Sequence, residues 1–171
     1  MKIALIAGGC IVAIVVAVIV AGLLLPKRHV VTRSASYRAK PKQLFRLISG
    51  EQNWRGDVLR CEISTEADGR VLQRETTRNG ETVTYELAER AEPVSIQRHI
   101  VTKNLPYSGT WSFSLKPEGE GTVVRITEDG EVYNPVFRFV SRFIIGQTRT
   151  IDTYLQNLGK ATGQEQIQIR D

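Results

Sequence analysis

Three patterns of apolar and polar positions divide this chain. From Ile3 to Leu25 no charged residue occurs and Ile, Val, Leu and Ala dominate. As a helix this run spans about 34 Å, enough for a hydrocarbon core about 30 Å thick, and it predicts a transmembrane span. From His29 to Val132 the pattern shifts to short stretches of period two, rich in β-branched residues and separated by turn signals. Strands are predicted at His29–Tyr37, Val58–Thr65, Val71–Thr77, Thr82–Glu89, Val94–Val101, Gly109–Leu115 and Thr122–Val132, with a short helix opened by Pro41 and a hairpin at Asn79-Gly80. The third pattern runs from Asn134 to Gly159. Asn134 is a candidate N-cap and Pro135 fits the first helical position. Val136, Val140, Phe143, Ile144, Gln147, Ile151, Leu155 and Leu158 then recur at steps of three and four. One helix of roughly 25 residues is expected, about 37 Å long, with Gly159 at its C-cap.

A helix of that length needs a partner surface. Val83, Tyr85 and Leu87, then Val94, Ile96 and Ile100, then Trp111, Phe113 and Leu115, then Val124 and Ile126 alternate in phase, so they share one face of an antiparallel sheet. Six consecutive strands with helices at the ends make an α+β domain, the sheet curving against the helix.

Length and charge set the organisation. The 171 residues, 42% hydrophobic and 24% charged, suffice for one domain with a core plus one appended segment. The expected division is 1–28 as membrane anchor, 29–163 as folded domain and 164–171 as a flexible polar tail. A cleaved signal peptide competes for the N-terminal run, but its apolar region would be shorter and would end at a small-residue site, whereas Leu23, Leu24 and Leu25 follow Gly22 directly. Lys27, Arg28, Arg33, Arg38, Lys40 and Lys42 crowd one side of the run, against Lys2 and the amino terminus on the other, which places the folded domain on the cytoplasmic side of a bacterial inner membrane. These cations are either a solvated face or a contact for anionic headgroups. The net charge of +5 is spread out, with no basic stripe interleaved with aromatics, so no nucleic-acid partner is expected. Cys10 and Cys61 cannot form a disulfide within the folded domain. His29 and His99 are isolated from any metal-binding spacing, and neither metal nor cofactor is expected.

The space between sheet and helix is where a ligand would sit, lined by apolar groups with a few oriented polar ones. Trp54, Tyr85, Trp111 and Phe113 are candidates for its wall, with ordinary core packing the simpler reading for each. Phe143 and Gln147 would face it from the helix. Arg98 is in phase with Ile96 and Ile100, and Glu75 with Val71 and Gln73. If both point inward they must pair, and the pair is suited to orient a carboxyl or carbonyl of a ligand; otherwise they lie in water. As catalytic groups the candidates are Glu75 and Glu128 as acids with Tyr85 as proton donor.

The order of elements, the Trp54 segment after the short helix, Gly109-Thr110-Trp111-Ser112-Phe113-Ser114-Leu115, Gly121-Thr122, Thr127-Glu128-Asp129-Gly130-Glu131 and the Asn134-Pro135 helix ending near Leu155-Gln156-Asn157-Leu158 together resemble the polyketide cyclase/dehydrase and lipid-transport branch of the START-like (Bet v 1-like, SRPBCC) superfamily. The resemblance covers about residues 29–163. It implies a helix-grip fold, seven antiparallel strands wrapped round the C-terminal helix, and an internal pocket for apolar ligands. The two His and one Asp that hold iron in the oxygenase branch have no match here. The function expected is a membrane-tethered binder or carrier of a lipid, quinone or polyketide-like molecule. The alternatives are a cyclase or dehydrase working through pocket acids, and a membrane-associated accessory protein with a vestigial pocket.

Overall fold

The computed structural model describes the backbone of residues 2–171 and the side chains of residues 8–171. Helix α1, Lys2–Leu24, leads into strand β1, Arg28–Tyr37, and the short helix α2, Pro41–Ser49. Six strands follow: β2 Val58–Thr65, β3 Val71–Thr77, β4 Thr82–Ala91, β5 Ser95–Ile100, β6 Tyr107–Glu118 and β7 Gly121–Val132. The chain then forms α3, Pro135–Val140, a π-helical turn at Ser141–Ile145, α4, Arg149–Ala161, and a two-residue strand β8, Ile169–Arg170.

All strands belong to one antiparallel sheet ordered β2-β3-β4-β5-β6-β7-β1-β8. The expected count was seven. The eighth strand comes from the tail expected to fray: Ile169 and Arg170 pair with Ala35 and Ser34, and Ile167 packs against the core. The concave face carries the core, where Ala35, Tyr37, Val124, Ile126, Phe113, Leu115, Ile96 and Leu87 meet Ile151, Tyr154, Leu155 and Leu158 of α4 and Leu44, Phe45 and Ile48 of α2. The phase deduced for these strands holds except at Val94. That residue precedes β5, in the turn after Pro93, and is 55% exposed.

The single long helix is the larger correction. Asn134 caps as expected, its Oδ1 accepting from the amides of Val136 (2.9 Å) and Phe137 (3.2 Å), with Pro135 at the first position. After Val140 the turns widen, and Gly146 takes φ +87°, which β-carbon-bearing residues rarely adopt. The chain therefore restarts as α4 in a new direction, and the apolar stripe splits. Ile151, Leu155 and Leu158 stay buried, whereas Phe143 and Ile144 are 62% and 70% exposed. A periodicity count keeps its phase only while the helix is continuous. Gly159 is not the C-cap either. It lies inside α4, with a would-be Cβ 2.8 Å from the Gln164 carbonyl oxygen. Gly163, at φ +77°, terminates the helix in a Schellman arrangement, its amide bonding to Lys160 O and that of Gln164 to Gly159 O.

Helix α1 lies against α3, where Gly22 meets Pro135 so closely that a β-carbon would overlap the proline carbonyl oxygen. Of the crossing expected over Ile3–Leu25, the side chains at positions 3–7 lie outside the described residues. Residues 8–24 span about 26 Å, and among the described residues no helix is long and apolar enough to cross a membrane.

The break at Gly146 predicts a measurable cost. Nothing lies within 4 Å of an added β-carbon there, so Gly146→Ala meets only backbone strain. It should lower unfolding free energy by about 1–2 kcal/mol in denaturant titration. An unchanged midpoint would mean the segment straightens in solution.

Candidate functional site

Register places one row of inward-facing side chains across the sheet. Leu87 lies opposite Arg98, Arg98 opposite Trp111, Trp111 opposite Glu128, and Glu128 opposite Val31. Glu75 and Gln73 face inward from β3, beside Val83 and Tyr85.

Arg98 and Glu75 are each 2% exposed, which answers the alternative left open by the sequence. Arg98 Nη1 donates to Glu75 Oε1 at 2.7 Å and to Gln73 Oε1 at 3.0 Å. The other carboxylate oxygen accepts from Arg55 Nη1 at 2.8 Å. Arg55 also donates to both oxygens of Asp57, and Asp57 Oδ1 accepts from Asn157 of α4. A chain of charges thus runs from β5 through β3 and the loop after α2 to the helix. Burial is the largest single influence on the Arg98 guanidinium and lowers its pKa, but Glu75, Tyr154 and Tyr85 together outweigh it and the pKa is raised. The same balance of burial against Glu75 and Asp57 raises Arg55.

Around this chain stand aromatic rings. The Arg98 guanidinium lies 4.4 Å from the centroid of Tyr85, 5.1 Å from Trp111, 5.4 Å from Phe113 and 5.5 Å from Tyr154, within cation–π range of all four. Tyr154 sits edge-on to Trp54 (5.5 Å) and Trp111 (5.7 Å), and its hydroxyl donates to Gln52 Oε1 at 3.0 Å. Trp54 is fixed by a 3.1 Å bond from Nε1 to Leu47 O. Beneath α4, therefore, the space expected for a ligand is occupied by the protein's own side chains.

The other half of the concave face, towards α3 and the π-helical turn, is less covered. Tyr85, Ile100, Gly109, Glu128, His29 and Val31 all keep some exposure. Two glycines, Gly109 and Gly130, lie opposite one another there, and the His29 ring rests on Gly130. His29 is not isolated in space, since its Nε2 is 3.5 Å from Glu128 Oε1. Glu128 Oε2 is buried without a protein partner, and so is Arg98 Nε.

Trp54, Tyr85, Arg98, Trp111, Phe113 and Glu75 come together around one point, and Glu128 stands across Trp111 from them. Phe143 and Gln147 do not join. The π-helical turn carries Phe143 outward, and Gln147 accepts from Arg142 at 2.8 Å at the domain's edge. Arg55, Gln52, Tyr154 and His29 escaped sequence reasoning. Tyr154 falls three residues after Ile151 and was legible as part of the stripe. Arg55, in a loop, offered no periodic signal. Among the described residues no group of three His, Cys, Asp or Glu side chains is placed to hold a metal ion.

A curved antiparallel sheet closed over a C-terminal helix defines the helix-grip class. The sequence profile of the family described as polyketide cyclase/dehydrase and lipid transport matches residues 28–162, most of the chain, and this protein belongs to that family. Solved structures agree in fold. A START superfamily protein from Mycobacterium smegmatis superposes with a TM-score of 0.62 at 16% identity, covering 81% of this chain and 99% of that one. Major latex-like protein 151 from Panax ginseng gives 0.60 at 13% identity, covering 82% and 99%. The di-domain ARO/CYC StfQ from the steffimycin biosynthetic pathway gives 0.62 at 12% identity, covering 81% of this chain and 51% of that one. No curated protein matches the chain.

Two predictions follow from the buried charges and phenols. Glu75→Gln leaves Arg55 and Arg98 in the core without their shared counter-ion and should cost about 3–5 kcal/mol by equilibrium unfolding. A loss under 1 kcal/mol would show that water reaches the pair.

Burial pushes the Tyr85 phenol up to about 12, and burial also raises Tyr37, Tyr107 and Tyr154, the Tyr107 hydroxyl being further held by Glu81. Each unfolded phenol loses its proton near pH 10 while the folded one keeps it. Stability is thus fully present below about pH 10 and falls as pH rises through the folded values. Denaturant midpoints taken across this range should drop, with phenolate absorbance rising in step, and Tyr85→Phe should make the drop shallower. A flat profile would contradict the burial argument.

Proposed function

We propose that this protein is a membrane-tethered binder or carrier of a small hydrophobic molecule that has a flat apolar body, an acceptor such as a carbonyl or carboxylate, and a hydroxyl donor. The observation that carries the reading is the unpaired couple flanking Trp111, a buried donor at Arg98 Nε and a buried acceptor at Glu128 Oε2. Buried polar groups without partners cost about 1–3 kcal/mol each, so a ligand that supplies both partners gains that much on binding. Arg98 and Glu128 stand two strands apart, about 10 Å between backbones, with the Trp111 indole between them. The less covered half of the concave face offers Tyr85, Ile100 and the floor at Gly109 and Gly130 for its body. Hydroxylated quinones and aromatic polyketides meet that description.

The tether is α1. Its described side chains include exposed Ile11, Val12, Ile14, Val15 and Leu23, and a helix that is apolar all round suits lipid better than water. Lys27 and Arg28 at its end support the folded domain lying on the cytoplasmic side of an inner membrane.

A cyclase- or dehydrase-type enzyme is the second reading, and the His29–Glu128 contact favours it over a mechanism through Glu75. Both Glu75 oxygens are held by guanidinium groups, which keep it ionised, whereas Glu128 Oε2 has no protein partner. Tyr85, held protonated by burial, suits a proton donor.

The full chain extracted in mild detergent should carry a small molecule detectable by native mass spectrometry. Added 5-hydroxy-1,4-naphthoquinone should quench Trp111 emission, about tenfold more weakly in Arg98→Met, the loss of one charge-assisted bond. An empty protein whose tryptophans are not quenched would sink the binder reading. Conversion of the probe, abolished by Glu128→Gln, would decide for the enzyme.

A further inference from the structure

The root of α1 is built into the domain. Gly22 seats against Pro135, and one turn on, Arg138 Nη1 donates at 2.8 Å to the carbonyl of Leu25, just past the last turn of α1. Arg138 is only 6% exposed, and its Nε is buried without a protein partner. It lines a cleft of about 220 Å³ between the end of α1, the start of β1 and the π-helical turn. Lys27, Arg28, Arg142, Ser141 and Gln147 line the same cleft, and no carboxylate does.

Ion pairing sorts the cations near this point. Arg28 is neutralised by two bonds to Asp129, Arg33 by Asp152 and Asp171, and Lys40 by Glu120. Lys27, Arg138 and Arg142 have no acidic partner among the described residues. Three uncompensated cations, one buried with a spare donor, in a cleft without acids form a site for an anion with several acceptor oxygens.

The same segment presents Val136, Phe137, Phe143, Ile144 and Ile145 as exposed large apolar side chains. Val136 and Phe137 belong to α3, which packs on α1, and Phe143, Ile144 and Ile145 follow in the π-helical turn whose Ser141 and Arg142 line the cleft. Interfacial elements bury their apolar face about 5–10 Å into the headgroup boundary.

We propose that the cleft between the root of α1 and the π-helical turn binds the phosphate of one anionic phospholipid, while Phe137, Phe143 and Ile144 lie among the neighbouring acyl chains. The proposal rests on α1 being the membrane anchor. The domain is thereby held down at two places, with the open half of its concave face next to the bilayer.

The test uses the full chain in detergent, titrated with phosphatidylglycerol or phosphatidylcholine and read by native mass spectrometry. One phosphatidylglycerol should be retained about tenfold more strongly than phosphatidylcholine, and Lys27→Gln with Arg142→Gln should remove the preference while leaving the thermal midpoint in place. Equal retention of the two lipids, or displacement by millimolar inorganic phosphate, overturns the lipid site. In nanodiscs, Phe143→Trp should be quenched by lipids brominated near the carbonyl end of the chain, above the response of the buried native tryptophans; no added quenching overturns the insertion. Release of the protein from membranes by alkaline wash tests the anchor separately, because lipid retention in detergent does not depend on its outcome.

Discussion

The arrangement depends on keeping a guanidinium charged inside an apolar core. Arg98 meets that constraint by sharing Glu75 with Arg55 and by standing within reach of four aromatic rings. Each partner comes from a different element: Glu75 from β3, Arg55 from the loop after α2, Tyr154 from α4. Satisfying one buried charge therefore fixes where the loop and the helix must lie on the sheet. Hydrophobic burial of Ile151, Leu155 and Leu158 supplies most of the attraction between sheet and helix, but it is tolerant of sliding. The ionic chain from Gln73 to Asn157 is not, because a shift of one residue strands a charge.

This constraint also divides the concave face. Where the ionic chain and Tyr154 stand, the grip is closed. Beyond Trp111 the floor is glycine and the walls are only partly covered, on the side where α3 approaches β7. Gly146 makes the division possible. A continuous helix would have carried Phe143 and Ile144 along the stripe and into the face. The turn at glycine instead leaves them on the outside, exposed.

Much of the fold was legible because β-strands announce themselves locally. Alternation fixed the inner face of β4, β6 and β7, and Asn79-Gly80 and Pro41 marked their turn and helix. What escaped were the interactions that close over distance. Nothing around Arg55 tells that it will meet a glutamate twenty residues later, and His29 gains its carboxylate neighbour only through the pairing of β1 with β7. The long helix failed for a different reason. Steps of three and four continue across Gly146, yet one positive φ resets the direction of the chain. Tail residues 164–171 are polar enough to read as loose, and only the free edge of β1 gives Ile169 and Arg170 somewhere to go.

That borrowed edge has a consequence of its own. The sheet ends on one side at β2, which displays the paired charges of Arg60 and Glu62, and on the other at β8, which covers Ser34 and Ala35 of β1. Charge guards the first margin and the carboxyl terminus guards the second. A change that frees β8 would uncover the backbone ladder of β1 at Ser34 and Ala35, a template on which a strand of a second molecule could add.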